Sequence, residues 1–173
     1  MDGRRRRGVT RPESGARARI LDTAAKLFYE EGIQAVGVQR LIDEAGVAKA
    51  SLYAHFPSKD DVVGAYLAQR GEAWRETVQC HVLDAEAPAR DRLLHYFDLV
   101  AAQVANPEFR GCPFQHAAAE VRDEGRPARV AADKHRAWLR DVLVRLAREA
   151  GARDPEGLAG MLQLLVDGAA AAA

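Results

Sequence analysis

Residues 45–60 read Ala45-Gly46-Val47-Ala48-Lys49-Ala50-Ser51-Leu52-Tyr53-Ala54-His55-Phe56-Pro57-Ser58-Lys59-Asp60. Immediately upstream, Val38, Leu41, Ile42 and Ala45 share one face of a short helix predicted over 38–45. Downstream, Leu52 and Phe56 are four apart and face inward from a second short helix over 49–55. The connection needs a tight turn, and Gly46 can take a left-handed backbone there at little cost while Val47 plugs the space between the helices. Pro57 cannot sit in a helix interior, so the second helix ends near His55 or Phe56. Ser58 then caps a new helix whose first turn carries Asp60 and Asp61. Two short helices joined by three residues containing a glycine have the spacing of a helix-turn-helix.

Outward from that stretch, helical periodicity continues in both directions. Ile20, Ala24, Leu27 and Phe28 form one buried stripe of a first helix over 13–31, with Gly32 as its stop. The helix that starts after Ser58 extends to about His81. Breaks around 84–88, 106–107, 110–111, 125–127 and 151–155 divide the remainder into helices near 88–105, 112–122, 128–150 and 155–173. No stretch alternates β-branched residues with a hairpin turn, so the expected fold is all-α with eight helices and no strands. Three parts are expected: a flexible basic arm over 1–12, a head over 13–57 and a larger helical body over 58–173.

With 173 residues, 48% of them hydrophobic, the chain can bury a core, which excludes wholesale disorder. No apolar run reaches the roughly 18 residues of a membrane span, and four arginines stand where a secretory signal would be hydrophobic. The expectation is a soluble, cytoplasmic protein with no membrane partner. Net charge is zero but unevenly spread: residues 1–60 hold 11 Lys+Arg against 8 Asp+Glu, and 61–173 hold 14 against 17, which is +3 against −3. Positive charge at one end suits a polyanion, although a basic tail alone is equally well a solvated terminus. Cys80 and Cys112 show no CxxC spacing and read as buried thiols rather than a disulfide or zinc site.

The second short helix presents small or hydrogen-bonding side chains on its outer face. Ala50 and Ser51 let the backbone approach base edges, Tyr53 and His55 reach bases or phosphate, and Lys49 supplies charge. Lys59 sits in a helix first turn, where backbone N–H groups favour a phosphate. These features, with Ile20-Leu21, Ala24-Ala25, Leu27-Phe28, Gly32, Ala45-Gly46-Val47 and above all the run from Ser51 to Asp60, resemble the TetR family of transcriptional regulators from Ala18 to Leu67. The resemblance implies an N-terminal helix-turn-helix head over 13–57 and an effector-binding and dimerisation body over 58–173. It implies base or phosphate contacts by Gln39, Lys49, Ala50, Ser51, Tyr53 and His55, with Lys59 on phosphate and Leu52 and Phe56 in the core. One departure is that Ala48 and Val38 stand where the family usually carries a capping Ser or Thr, worth roughly 1 kcal/mol each. The competing structural account is that Tyr53, His55 and Lys59 merely decorate a helix hairpin.

The second half resembles the family more loosely, through Gly111-Cys112-Pro113-Phe114, Ala117-Ala118-Ala119-Glu120 and His135-Arg136-Ala137-Trp138-Leu139. Trp74, Phe97, Phe109, Phe114, His116, Trp138 and Met161 are candidates for an apolar effector cavity, against ordinary core packing for each. Cys112 and His116, one helical turn apart, have the spacing of a metal or redox pair, but no further ligand is visible and no metal site is assigned. No cofactor is expected. Enzyme chemistry is disfavoured too: no phosphate-cradling GxxxxGK loop is present, and Ser14, Ser51 and Ser58 lie in no nucleophile elbow. The expected function is therefore a ligand-responsive repressor that binds a double-stranded, pseudo-palindromic operator as a homodimer and is released by an unknown small-molecule effector. Leu158, Leu162, Leu165 and Val166 on the last helix would supply the dimer stripe. The chain ends after five alanines, where the family generally continues into another helix. The rival is a helical ligand-binding or thiol-sensing protein without DNA binding, supported only by the missing caps.

Overall fold

The computed structural model describes residues 13–172; the predicted basic arm over 1–12 lies outside the described residues. The elements are α1 (Glu13–Glu31), α2 (Val38–Ala45), α3 (Lys49–His55), α4 (Lys59–Val78), a π-helical turn (Gln79–Leu83), α5 (Ala89–Val104), α6 (Pro113–Glu120), α7 (Pro127–Glu149) and α8 (Pro155–Ala172). Among the described residues every regular element is helical, and the predicted ends fall within two residues of the observed ones except after α4. There the chain continues past His81 through a wider turn. The Asp84 N–H donates to the Gln79 carbonyl five residues back at 2.9 Å, and the Gln79 side-chain amide donates to the Asp84 carboxylate at 2.6 Å.

Helix α4 starts where Ser58 and Pro57 demand. The Ser58 hydroxyl accepts from the Asp61 N–H at 3.2 Å and donates to the Asp61 carboxylate at 2.7 Å. From there α4 lies against α7, which also packs on α5, α6 and α8. Gly64 makes the close approach of α4 and α7 possible, since a Cβ at that position would stand 2.7 Å from the Pro127 Cβ.

Two apolar clusters result. The first joins Ile20, Leu27 and Phe28 of α1, Leu41 and Ile42 of α2, and Leu52 and Phe56 to Val62, Tyr66 and Leu67 of α4, Phe114 and Ala117 of α6, and Ala128 and Ala132 of α7. The second gathers Val78, Val82, Tyr96, Val100, Leu139, Val142, Leu143, Leu146 and Ala159. The head is therefore not an isolated bundle, because α6 and the start of α7 complete its core.

Two placements differ from expectation. Cys80 is exposed rather than buried; it lies about half a turn from Val78 and from Val82, opposite the stripe those two residues bury. On α8, Leu162 and Val166 pack against the second core, while Leu165 joins Met161 and Leu164 on an outward face, at 62%, 61% and 67% exposure. The apolar residues of α8 thus divide between two faces instead of forming the single stripe predicted.

Candidate nucleic-acid interface and effector cavity

The two short helices are set by backbone geometry. Gly46 adopts φ 60°, ψ 44°, the left-handed conformation expected of it, and its N–H donates to the Asp43 carbonyl at 3.3 Å while the Val47 N–H donates to Ile42 at 3.2 Å. Leu41, Ile42, Ala45, Leu52 and Phe56 face the core and aim the opposite side of α3 outward. Lys49, Ala50, Tyr53 and Ala54 are exposed, Tyr53 at 43%, and Ser51 and His55 are half-buried at the flanks. The predicted lack of capping hydroxyls is plain: Gly37 and Ala48 occupy the N-caps of α2 and α3, and neither supplies a side-chain bond.

Two predicted contacts have partners within the chain. The Gln39 amide donates to Asp43 at 2.9 Å along α2. Lys59 is half-buried with its ammonium 6.0 Å from the Phe28 ring centroid, and burial lowers its pKa against the opposing charges of Glu120 and Asp60. Arg40 lies between Glu31 and Glu44, so its charge is neutralised on the spot. Arg17, 5.4 Å from the Phe56 ring centroid, adds a cation beside the end of α3.

Among the described residues, polar bonds join head to body through residues 110–120, and a further long-range pair ties residue 126 to the start of α4. The Arg110 N–H donates to the Tyr29 hydroxyl at 2.8 Å. The Glu120 carboxylate, at the end of α6, accepts from the N–H groups of Ile33 at 3.2 Å and Gln34 at 2.7 Å in the α1–α2 turn. Arg126 donates twice to Asp60 at the start of α4, at 2.8 and 2.5 Å, and holds that carboxyl below its ordinary pKa. These partners are separated by 66 to 87 residues of chain, and no local sequence signal pairs them.

A cavity of about 910 Å³ lies between the two cores, walled by α1, α4, α5, α6, α7 and α8. Of the residues selected from sequence, Trp74, Phe109 and Phe114 line it. The other four do not. Phe97 packs edge-on against Tyr96 at 5.7 Å, Trp138 lies beneath the Arg75 guanidinium and beside His135, His116 is half-buried against Gly111, and Met161 is on the outer face of α8. Conversely, Arg70, Tyr96, Cys112, His135 and Gln163 line the cavity without having been selected. His135 stacks on Phe114 with ring centroids 3.7 Å apart; burial, with Arg75 beside it, pushes its pKa down to about 4, so the ring is neutral at physiological pH. Burial pushes the Cys112 thiol up, away from thiolate character. Among the described residues no three His, Cys, Asp or Glu side chains converge as a metal site would require, and no helix is long and apolar enough to cross a membrane.

The profile of a family described as "Bacterial regulatory proteins, tetR family" matches residues 20–66. The chain is similar to the crystal structure of SCO4454, a TetR-family transcriptional regulator from Streptomyces coelicolor, at 38% identity over 92% of this chain and 84% of that one, with a TM-score of 0.87. It is similar to a putative TetR transcriptional regulator (sav143) from Streptomyces avermitilis at 36% identity, over 90% of this chain and 84% of that one, with a TM-score of 0.82. Among curated proteins, the HTH-type transcriptional repressor KstR2 of Rhodococcus jostii is 45% identical over 58 residues, 34% of this chain and 28% of that protein. The match thus spans less than a third of that relative's length.

Proposed function

This chain belongs to the TetR family of bacterial regulatory proteins, and from that premise we propose that it is a ligand-responsive transcriptional repressor that binds operator DNA as a homodimer. The observation that carries the proposal is the outward face of α3. Leu52 and Phe56 anchor the helix in the core, so Lys49, Ala50, Ser51, Tyr53 and His55 stand free to enter a major groove. Within that reading, Gln39 and Lys59 contact DNA only after exchanging the partners they hold inside the chain. One such helix reads a few base pairs, so a pseudo-palindromic site and a dimer supply the remaining specificity. The apolar face of Met161, Leu164 and Leu165 on α8 is the surface assigned to the second copy.

Coupling between cavity and head is assigned to residues 110–126. This stretch walls the cavity with Arg110, Cys112, Phe114, Gln115 and Ala118, holds the head through Arg110 and Glu120, and holds the start of α4 through Arg126. An effector that repositions α6 shifts those bonds, and with them the tilt of α4 and the spacing of the two heads. No catalytic step is assigned.

The test is fluorescence anisotropy of the protein against duplexes taken from upstream of its own gene, at two salt concentrations. Tight, sequence-dependent binding that fits a dimer is expected. Weak binding equal for all duplexes would overturn the proposal and favour a ligand-binding protein without DNA contacts. Leu165→Glu is expected to leave the helical content unchanged while converting the dimer to a monomer by analytical ultracentrifugation.

A further inference from the structure

The cavity sets a cation without an ion pair beside flat apolar surface. Along α4, Tyr66, Arg70 and Trp74 follow an i, i+4, i+8 spacing, so a phenol, a guanidinium and an indole succeed one another at intervals of about 6 Å on one helix face. Arg70 and Trp74 line the cavity; Tyr66 is 2% exposed and its hydroxyl has no hydrogen-bond partner. The Arg70 guanidinium is held over two rings, 5.2 Å from the Tyr29 centroid and 6.0 Å from that of Tyr66. Among the described residues it forms no ion pair, and the Tyr66 phenol beneath it offers no counter-charge, so its charge is available to an anion.

The other charges around the cavity do not cancel it. Asp133 is engaged by Arg129, and Asp167 by Arg136 and Gln115. At the mouth, Lys26, Arg70 and Arg110 face Glu30 and Glu108, three cations against two acids. The inner wall, by contrast, is aromatic and uncharged. Trp74 meets Tyr96 edge-on at 6.3 Å, and Phe114 and His135 form a stacked slab. Burial raises the Tyr96 phenol and the Cys112 thiol and lowers the His135 imidazole, so all three are neutral near pH 7. An ion driven to that end would lose its hydration without gaining a counter-charge.

We propose that the cavity takes an aromatic monoanion, with a flat body of one or two rings against Trp74, Phe114 and His135 and a carboxylate, about one helical turn away, on Arg70. The proposal rests on reading this cavity as the effector site, and it concerns binding alone, so it stands or falls without DNA. The experiment is isothermal titration calorimetry with three probes of one shape: 2-naphthylacetate, the neutral 2-(2-naphthyl)ethanol and the cationic 2-(2-naphthyl)ethylamine. On the wild-type chain the acid is expected to bind at least about tenfold more tightly than the alcohol, as a charge-assisted bond to a guanidinium should, and the amine most weakly. Arg70→Gln should bring the acid to within about threefold of the alcohol and leave the alcohol's affinity unchanged. Arg70 is exposed, and unaltered circular dichroism of the variant checks that its fold is intact.

Equal or tighter binding of the alcohol or amine would overturn the proposal. So would saturable binding by none of the three up to millimolar concentration, or an acid preference that survives Arg70→Gln. If the acid shows the expected preference yet the chain binds no duplex by anisotropy, the repressor assignment fails and the ligand class stands. If duplexes bind and the acid preference is absent, the reverse holds.

Discussion

Around Leu41, Leu52 and Phe56 the first core closes on itself, with all three side chains buried and helices on every side. Around Tyr96, Val100 and Leu139 the second core ends at a cavity of about 910 Å³, and across α8 it gives way to the exposed row of Met161, Leu164 and Leu165. The first region, completed by α6 and the start of α7, is enclosed around the two short helices, whose one large apolar side chain turned outward is Tyr53, and it reaches the cavity only at its far side, through residues such as Phe114 and Ala132. The second leaves apolar surface open in two directions, towards a cavity and towards solvent. The head is thus the more enclosed region, and most of the apolar surface left uncovered lies in the body. Contiguous exposed apolar surface of this kind marks interaction sites in soluble proteins, and voids in a core remove stabilising contacts.

The contrast is broken most directly by truncating one residue in each core. Leu52→Ala, in the closed region, is expected to cost roughly 3 to 5 kcal/mol in a urea unfolding experiment. Leu139→Ala, on the cavity wall, should cost about 2 kcal/mol, near the low end of the range, because the removed atoms already adjoin open space. Equal losses at the two positions would show that the cores do not differ in enclosure.

Acid acts on the cavity side through His135. The His135 imidazole is held down to about 4 when folded, against an ordinary value of 6.5. Above pH 6.5 the ring is neutral in both states and contributes no slope. As pH falls from 6.5 towards 4 the unfolded chain takes up a proton that the folded chain refuses, so stability drops by about 3 kcal/mol from this group. His135→Phe should flatten that part of the stability profile relative to wild type. An unchanged slope would mean that the ring is protonated in the folded chain.

On the head, Tyr53→Ala should weaken operator binding by about 1 to 3 kcal/mol in anisotropy while shifting the thermal midpoint by no more than about 2 °C. A collapse of stability instead would move Tyr53 from the reading face into the core. The smallest effect is expected at the junction. Glu120→Gln keeps the shape of the side chain but replaces charge-assisted acceptance by neutral acceptance, at about 1 kcal/mol. Hydrogen exchange at the amides of Ile33 and Gln34 should quicken while α3 and α5 amides stay as they were. Unaltered exchange at 33–34 would remove Glu120 from any role in joining body to head.

What could be seen in the chain before its structure follows the range of the signals. Gly46, Pro57 and Ser58 act within four residues of themselves, and the turn, helix end and cap they specify all lie where expected. The stripe of Ile20, Ala24, Leu27 and Phe28 needs only the 3.6-residue period, and all four are buried. The cavity lining is another matter. Phe97 and Trp138 are as apolar as Trp74 and Phe114, and composition cannot tell a residue that faces a void from one that faces a neighbour. On α8 the period picks out one stripe, and only the positions of α7 and α5 show that Leu162 and Val166 are covered while Leu165 is not. The bonds from Glu120 to Ile33 and Gln34 span 86 and 87 residues; no window of sequence contains both ends.

The π-helical turn over Gln79–Leu83 has a consequence for how the length of this fold can drift. A one-residue insertion in a plain α-helix rotates everything beyond it by about 100° and scrambles the buried face. A wider turn is such an insertion already absorbed, confined here to five residues between α4 and α5. Because Gln79, Cys80 and His81 are exposed and Val82 is fully buried, loss of His81 would move Val82 from four residues after Val78 to three, still on the same face. Relatives with one residue fewer at this turn are therefore expected to carry an unbroken α-helix from the start of α4 to the loop before α5, so that gaps in an alignment collect at this turn and not along α4.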